Sequence, residues 1–217
     1  MKIAILGGTG DEGFGLGYRW AVAGHEIIIG SRKAEKGGRA AAEMLQKLPD
    51  GNISGTDNLT AAQAADVAVL SVPYGAQMGT LETVKDALDG KLLITVVAPT
   101  GEKAARVWRL PSGLSAAEEA QQQVGDKVRV VAAFQNVGAH HLLDINHQMD
   151  CDVLICGEKK ADKAVALQLC TDAGMRGVNA GALQNAGVAE GLTSVLIAIN
   201  IIHKVKSAGI RITGLDQ

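Results

Sequence analysis

An α/β chain whose parallel sheet is wound on both faces by helices is predicted by three observations. A short, β-branched, continuously apolar run at residues 3–6 and largely apolar runs at 66–72 and 91–97 read as strands buried on both sides. Helix-length segments alternate with them, the arrangement that makes neighbouring strands parallel. The first strand also runs directly into Gly7-Gly8-Thr9-Gly10-Asp11-Glu12-Gly13, a glycine turn that opens a helix. Together these predict a Rossmann-type doubly wound sheet over residues 1–133. A small C-terminal α/β annex with a long C-terminal helix is expected over residues 134–217.

Composition narrows the class. At 217 residues the chain can hold one large domain, or a nucleotide-binding domain with an annex. Its 47% hydrophobic and 20% charged residues predict a globular fold, and a net charge of −2 lacks the basic footprint of a nucleic-acid binder. No apolar run is expected to reach the length of a membrane span. One lysine, a strand-length apolar run and then glycines do not read as a signal peptide, so a cytoplasmic protein is expected. Cys151, Cys156 and Cys170 are odd in number and lack metal-ligand spacing, which reads as buried free thiols in a reducing compartment.

The glycines after the first strand divide three tasks. Gly8 permits the tight turn, Gly10 puts no Cβ between backbone and pyrophosphate, and Gly13 lets the helix of residues 14–23 pack closely on the strand. Free N–H groups and the positive end of that helix then face phosphates. Gly8, Thr9, Gly10, Asp11, Glu12 and Gly13 are therefore candidate cofactor contacts. Asp11 and Glu12 oppose this electrostatically: repulsion of a pyrophosphate is expected unless both side chains point to solvent.

Residues 25–30 read as the second strand, after Gly24 closes the helix. At its end, where an NAD site places an acid against the ribose 2′-hydroxyl, stand Ser31, Arg32 and Lys33, with Lys36 one turn into a helix that runs to residue 48. No acid is present. A hydroxyl, a guanidinium fork and ammonium groups suit a 2′-phosphate, which predicts NADP. The plainer reading is a solvated basic start to a helix, where the dipole disfavours cations.

Pro49-Asp50-Gly51-Asn52 is a turn, residues 53–57 a weak third strand and 59–65 a short helix. The strand at 66–73 stops at a proline. Ser71, Val72 and Pro73 should line the ligand crevice at its C-terminal end, with Tyr74 either flanking a ring or simply packed. A helix at 76–88 and a strand at 91–98 repeat the unit and bring Val97 and Ala98 to the same edge. Residues 100–113 are irregular and polar. Ser115-Ala116-Ala117-Glu118 resembles a capping box that opens a helix to residue 124, and 128–133 is another strand.

In the last third, residues 151–156 read as a strand, 160–173 as a helix and 177–180 as a strand end. Residues 183–205 are mostly helical. Val188, Leu192, Val195, Ile199 and Ile202 share one face, while Ile197, Ile201 and Val205 lie well round the cylinder. Such a helix must be covered on more than one side, and a second subunit is the preferred cover. Lys204, Lys206 and Gly209 are expected to end it. Glu190 is expected to sit well against the dipole at this helix's start. His140, His141, Asp144 and His147 fit no common zinc spacing, and adjacent histidines are expected to point apart, so no metal site is expected.

Several segments taken in order, Gly7-Gly8-Thr9-Gly10, 24–32 with Lys36, Ser71-Val72-Pro73, 151–157 and Glu190-Gly191-Leu192-Thr193, resemble the NADPH-dependent F420 reductases, also called 8-hydroxy-5-deazaflavin:NADP oxidoreductases. The similarity runs nearly end to end at matching spacing. It implies a homodimer that binds NADP and, as co-substrate, the deazaflavin coenzyme F420. By resemblance, Thr9, Ser31, Arg32 and Lys36 hold the 2′-phosphate half of NADP. Gln135, Asn136, Val137, Gly138 and Ala139, with Leu192 and Thr193, lie against the deazaflavin, and Ala139 also reaches the cofactor. Gln135 to Gly138 stand where some relatives have a histidine and a proline, and Ala182 replaces an expected proline.

Direct hydride exchange between nicotinamide and deazaflavin needs alignment more than side-chain chemistry, so no catalytic acid or base is expected. The amides of Gln135 and Asn136 and the N–H groups of residues 137–139 are expected to face the deazaflavin. Two alternatives remain at this stage. One is an NADP-dependent reductase of a small imine, ketone or hydroxyacid, with Lys204 or Lys206 as proton donor; the other is a non-catalytic NADP(H) sensor.

Overall fold

The structure, a computed structural model, describes residues 1–215. Six strands alternate with five helices: β1 (Lys2–Leu6), α1 (Asp11–Val22), β2 (Glu26–Ser31), α2 (Ala34–Lys47), β3 (Ile53–Asp57), α3 (Asn58–Ala64), β4 (Val67–Leu70), α4 (Tyr74–Val84), β5 (Leu92–Thr95), α5 (Ala116–Val124) and β6 (Arg129–Ala132). After a long connection follow β7 (Asp152–Gly157), α6 (Lys160–Asp172), β8 (Arg176–Asn179) and α7 (Ala186–His203). β4 and β5 end earlier than the apolar runs suggested: Ser71 and Val96 N–H make the last bonds, to the Leu6 and Leu70 carbonyls at 2.9 and 3.1 Å, and the chain then leaves the ladder at the sheet's C-terminal edge.

The strands form one sheet in the order β3-β2-β1-β4-β5-β6-β7-β8. β1 to β6 are parallel. The C-terminal strands extend the same sheet: β7 joins antiparallel to β6 through Val131↔Gly157 and Ala132↔Cys156, and β8 runs parallel to β7. Successive strand residues point to opposite faces and so feed two cores. Ile3, Ile5, Ile27, Ile29, Val153 and Ile155 pack with α1, α2 and α6, while Ala4, Leu6, Ala68, Leu70 and Cys156 pack with α3, α4 and α5. Trp20, fully buried on α1, donates from Nε1 to the Leu169 carbonyl at 2.8 Å and meets Phe134 edge-on at 5.6 Å. That one side chain ties the first helix to α6, 149 residues further along the chain.

Helix α7 shows where its apolar stripe lies and corrects one expectation. Its inward face is small and polar (Ala186, Ala189, Glu190, Ser194) with Leu196, whereas Val188 is 74% and Ile202 71% exposed. The apolar stripe thus points outward, because apolarity alone marks a face to be covered and not which neighbour covers it. Residues Leu183–His203 are also long and apolar enough, by length and composition, to cross a membrane, contrary to the expectation that no run reaches that length. The helix stops at His203 without glycine: Lys204 adopts left-handed φ 54°, and Val205 N–H returns to the Asn200 carbonyl at 3.1 Å.

Candidate functional site

Strand order reverses between β1 and β4, and at that switch point an open α/β sheet leaves a crevice beyond its strand tips. The glycine turn lies there. Gly7, not Gly8, takes the left-handed conformation (φ +77°), and a Cβ on it would fall 2.3 Å from Val72 Cγ1. Gly8 is instead pinned by N–H bonds to the Ile5 and Gly30 carbonyls at 3.1 and 3.0 Å. A Cβ on Gly13 would strike Ser71 Oγ at 2.7 Å, which explains the close helix packing.

Gly10 is the opposite case. It caps α1 in extended conformation, no side chain caps the helix, and nothing lies within 4 Å of where its Cβ would be. The first N–H groups of α1 are left facing open space, the environment a pyrophosphate needs.

Helix α1 begins at Asp11, earlier than expected, so Asp11 and Glu12 occupy its first turn. Asp11 is exposed, as a phosphate-binding loop requires. Glu12 departs from expectation: it is half-buried, its Oε1 is enclosed without a partner, and burial pushes its pKa up to about 8. At neutral pH it is a neutral acid, so the repulsion anticipated from two carboxylates reduces to one.

Beside the turn, a cavity of about 510 Å³ is lined by Ser31, Arg32, Asp57, Asn58, Gly75 and Ala76, among others. Ser31 is the buried last residue of β2; Arg32 is exposed and makes no hydrogen bond or ion pair among the described residues. Asp57 shares the cavity, but its carboxylate caps α3, accepting from Thr60 N–H at 2.9 Å and from the Thr60 hydroxyl at 2.7 Å; those bonds hold its pKa below the usual range. Lys36 lies outside this lining. Thr9 faces a separate concavity with Asp11, Phe14, Ala139 and His140.

Past the turn, Pro73 and Ala98 mark the ends of β4 and β5 and share a cavity of about 760 Å³ with Tyr74 and the segment 100–108. Val97 is buried beside them. Tyr74 is packed, not free: its hydroxyl donates to Glu119 at 2.7 Å and its ring meets Trp108 edge-on at 5.4 Å.

Gln135 and Thr193 are brought together, the Thr193 hydroxyl donating to the Gln135 carbonyl at 2.7 Å. The amides behave otherwise than expected. Asn136 is buried and bridges to β7, donating to the Asp152 carbonyl at 2.7 Å, and Gln135 Nε2 donates to the Thr95 carbonyl at 2.9 Å. Each NH₂ group gives one bond that laces strand tips together, and Gln135 Oε1 is left without a partner. Val137 is buried, while Gly138, Ala139 and Leu192 are half-buried.

Three features escaped the sequence reading. Glu190 is 2% exposed and lies within α7, where it caps a different helix: its carboxylate accepts from Ala116 and Ala117 N–H of α5 at 2.8 and 3.0 Å. Burial raises its pKa to about 7 against the pull of those two bonds. Arg19, 6% exposed, donates to the carbonyls of His141, Leu142, Asp144, His147 and Ala173. It thereby clamps the loop that follows Ala139. An arginine inside an apolar helix was the available signal. Finally, His140 and His141 do not point apart: their ring centroids are 4.7 Å apart, and His141 stacks on His147 at 3.9 Å. The cysteines are buried, and burial lifts Cys156 to about 11 and Cys170 higher still.

Fold and turn together define a dinucleotide-binding α/β protein. The family model described as coenzyme F420-dependent NADP oxidoreductase matches residues 2–99. Over the full length of both chains, the protein is 45% identical to the F420-dependent NADP reductase of Methanothermobacter marburgensis and 40% identical to that of Methanocaldococcus jannaschii. The chain belongs to this family, the coenzyme F420-dependent NADP oxidoreductases. A solved structure from Arthrobacter sp. FB24, 24% identical, shares the fold with a TM-score of 0.82 over 98% of this chain and 99% of that one.

Proposed function

We propose that this protein transfers a hydride between NADP(H) and coenzyme F420. The observation that carries the reading is the uncapped start of α1 at Gly10, flanked by the Ser31–Arg32 cavity on one side and the Pro73–Ala98 cavity on the other. A bound dinucleotide supplies the hydride chemistry at its nicotinamide C4, opposite the deazaflavin C5. The chain's residues do the rest. N–H groups of α1 bind the pyrophosphate, Arg32 and Ser31 select the 2′-phosphate, and Ser71, Val72, Pro73, Val97 and Ala98 form the wall against which the ring end is oriented. The Gln135–Ala139 segment, held by Thr193, faces the deazaflavin.

No side chain serves as an obligatory acid or base, because alignment of two redox rings supplies most of the barrier reduction. Residues 1–133 carry the NADP site, and 134–217 complete the deazaflavin site and the dimer. The outward stripe of Val188, Val195, Ile201 and Ile202 on α7 supports a homodimer, and the buried free thiols support a cytoplasmic setting. Mixing the protein with NADPH and F420 and following deazaflavin absorbance tests the reading. Loss of the deazaflavin band at the rate of NADPH oxidation is expected; oxidation only with an imine or carbonyl, or binding without turnover, would refute it.

A further inference from the structure

Beyond Ala98, residues 100–108 have no part in the dinucleotide site, yet they are built. Thr100 and Val107 form an antiparallel bridge, Arg106 N–H closes a turn on the Lys103 carbonyl at 2.8 Å, and a Cβ on Gly101 would lie 3.3 Å from Trp108 Cγ. Trp108 in turn rests edge-on against Tyr74. A short, pinned lobe therefore stands over the cavity of about 760 Å³ that starts at Pro73 and Ala98. Lys103 and Arg106 line that cavity as well, with Glu102 the one acid in the lining. Both cations are exposed, and neither has a hydrogen-bond or ion-pair partner among the described residues.

Resting on the reading above, we propose that Lys103 and Arg106 form an anion subsite for the phosphodiester-and-carboxylate tail of the deazaflavin substrate. The cavity gives the geometry: with the nicotinamide oriented against Pro73 and Ala98, a deazaflavin stacked on it has Lys103 and Arg106 on the lining of the same cavity, along which its side chain can run out. A guanidinium fork and an ammonium held on one turn suit phosphate and carboxylate oxygens. The dinucleotide's own anionic groups are assigned to Gly10 and Arg32, neither of which lines this cavity, so it does not compete for Lys103 and Arg106.

The test compares wild type with the Lys103→Ala/Arg106→Ala variant, using F420 and the tail-less 8-hydroxy-5-deazariboflavin at low and high salt. For F420 the variant should raise KM roughly tenfold with kcat within about twofold and KM for NADPH unchanged; high salt should produce the same rise in wild type. For the tail-less compound, variant and salt should change nothing. Lys103→Gln/Arg106→Gln, which keeps side-chain bulk, should match the alanine pair, and unaltered circular dichroism checks folding. Equal KM for F420 in wild type and variants, or an increase confined to NADPH, would overturn the subsite while leaving the hydride-transfer reading intact. Absence of turnover with either deazaflavin would instead refute the parent reading, and the subsite with it.

Discussion

Glu12 sits where an anion is to be bound, and its ionisation can be isolated by Glu12→Gln, which removes the titration and keeps the shape. The carboxyl titrates at about 8 in the fold against an ordinary 4.5. At about 1.4 kcal/mol per pH unit, ionising it in place costs at most about 5 kcal/mol. The side chain is only half-buried and water can reach part of it, so we expect roughly 2 kcal/mol. A carboxyl whose pKa is raised on folding contributes its stability in full below 4.5 and loses it as pH rises through 8. Urea denaturation at intervals from pH 5 to 9 should therefore show wild type losing roughly 2 kcal/mol relative to the glutamine variant. Glu190 titrates in both proteins and cancels in the difference. The functional counterpart is a KM for NADPH that climbs above pH 8 in wild type and stays flat in the variant, because ionised Glu12 adds a negative charge in the first turn of α1, where the pyrophosphate is proposed to bind. Parallel stability curves for the two proteins would refute the reasoning.

Other perturbations probe separate parts of the site. Arg32→Ala should raise KM for NADPH by roughly 10–100-fold, the loss of one or two charged hydrogen bonds, and leave the weak use of NADH unchanged; a preserved preference for NADPH in steady-state assays would contradict the 2′-phosphate assignment. Glu190→Gln keeps one acceptor oxygen for two N–H groups of α5 and should cost about 1–3 kcal/mol by denaturation, while the single-turnover hydride rate stays within a few-fold of wild type. Arg19→Lys replaces a five-donor fork by one ammonium among five carbonyls. A loss of about 3 kcal/mol is expected, with KM for the deazaflavin rising more than KM for NADPH because the loop after Ala139 loosens.

What could be read from the sequence was local. The strand–turn–helix at 2–22, the basic tip of β2 and the capping box at Ser115 and Glu118 are each set by neighbours a few residues apart, and each appears in the structure. The box is complete: Glu118 N–H donates to Ser115 Oγ at 3.1 Å, and Ser115 N–H donates to Glu118 Oε2 at 2.8 Å. What could not be read depends on partners remote in the chain. Nothing near Asn136 says that β7 needs its amide, because the Asp152 carbonyl that accepts it is brought there only by the antiparallel return of β7. Periodicity marked α7 as apolar but could not say that Glu190 faces inward, since that face is dictated by the open start of α5.

The same distinction explains the placement of the polar groups around the crevice. Of the five helices that start beyond the tips of β1 to β5, α3 and α5 are capped by side chains whereas α1, α2 and α4 are not, and α1 and α5 show the contrast. α5 receives a capping box and a buried carboxylate from α7, so its N–H groups are fully used. α1 receives no side-chain cap at all, and of the two acids in its first turn Asp11 is exposed while Glu12 is held neutral by burial. An uncapped helix start costs stability, typically about 1 kcal/mol relative to a capped one. The fold therefore retains at Gly10 a local deficit that it removes at Ser115, and a bound pyrophosphate is the group that would offset it. Saturating NADPH should accordingly protect the amide hydrogens of the first turn of α1 from exchange far more than those of α5; equal protection at both helix starts would show that the dinucleotide does not use the uncapped end.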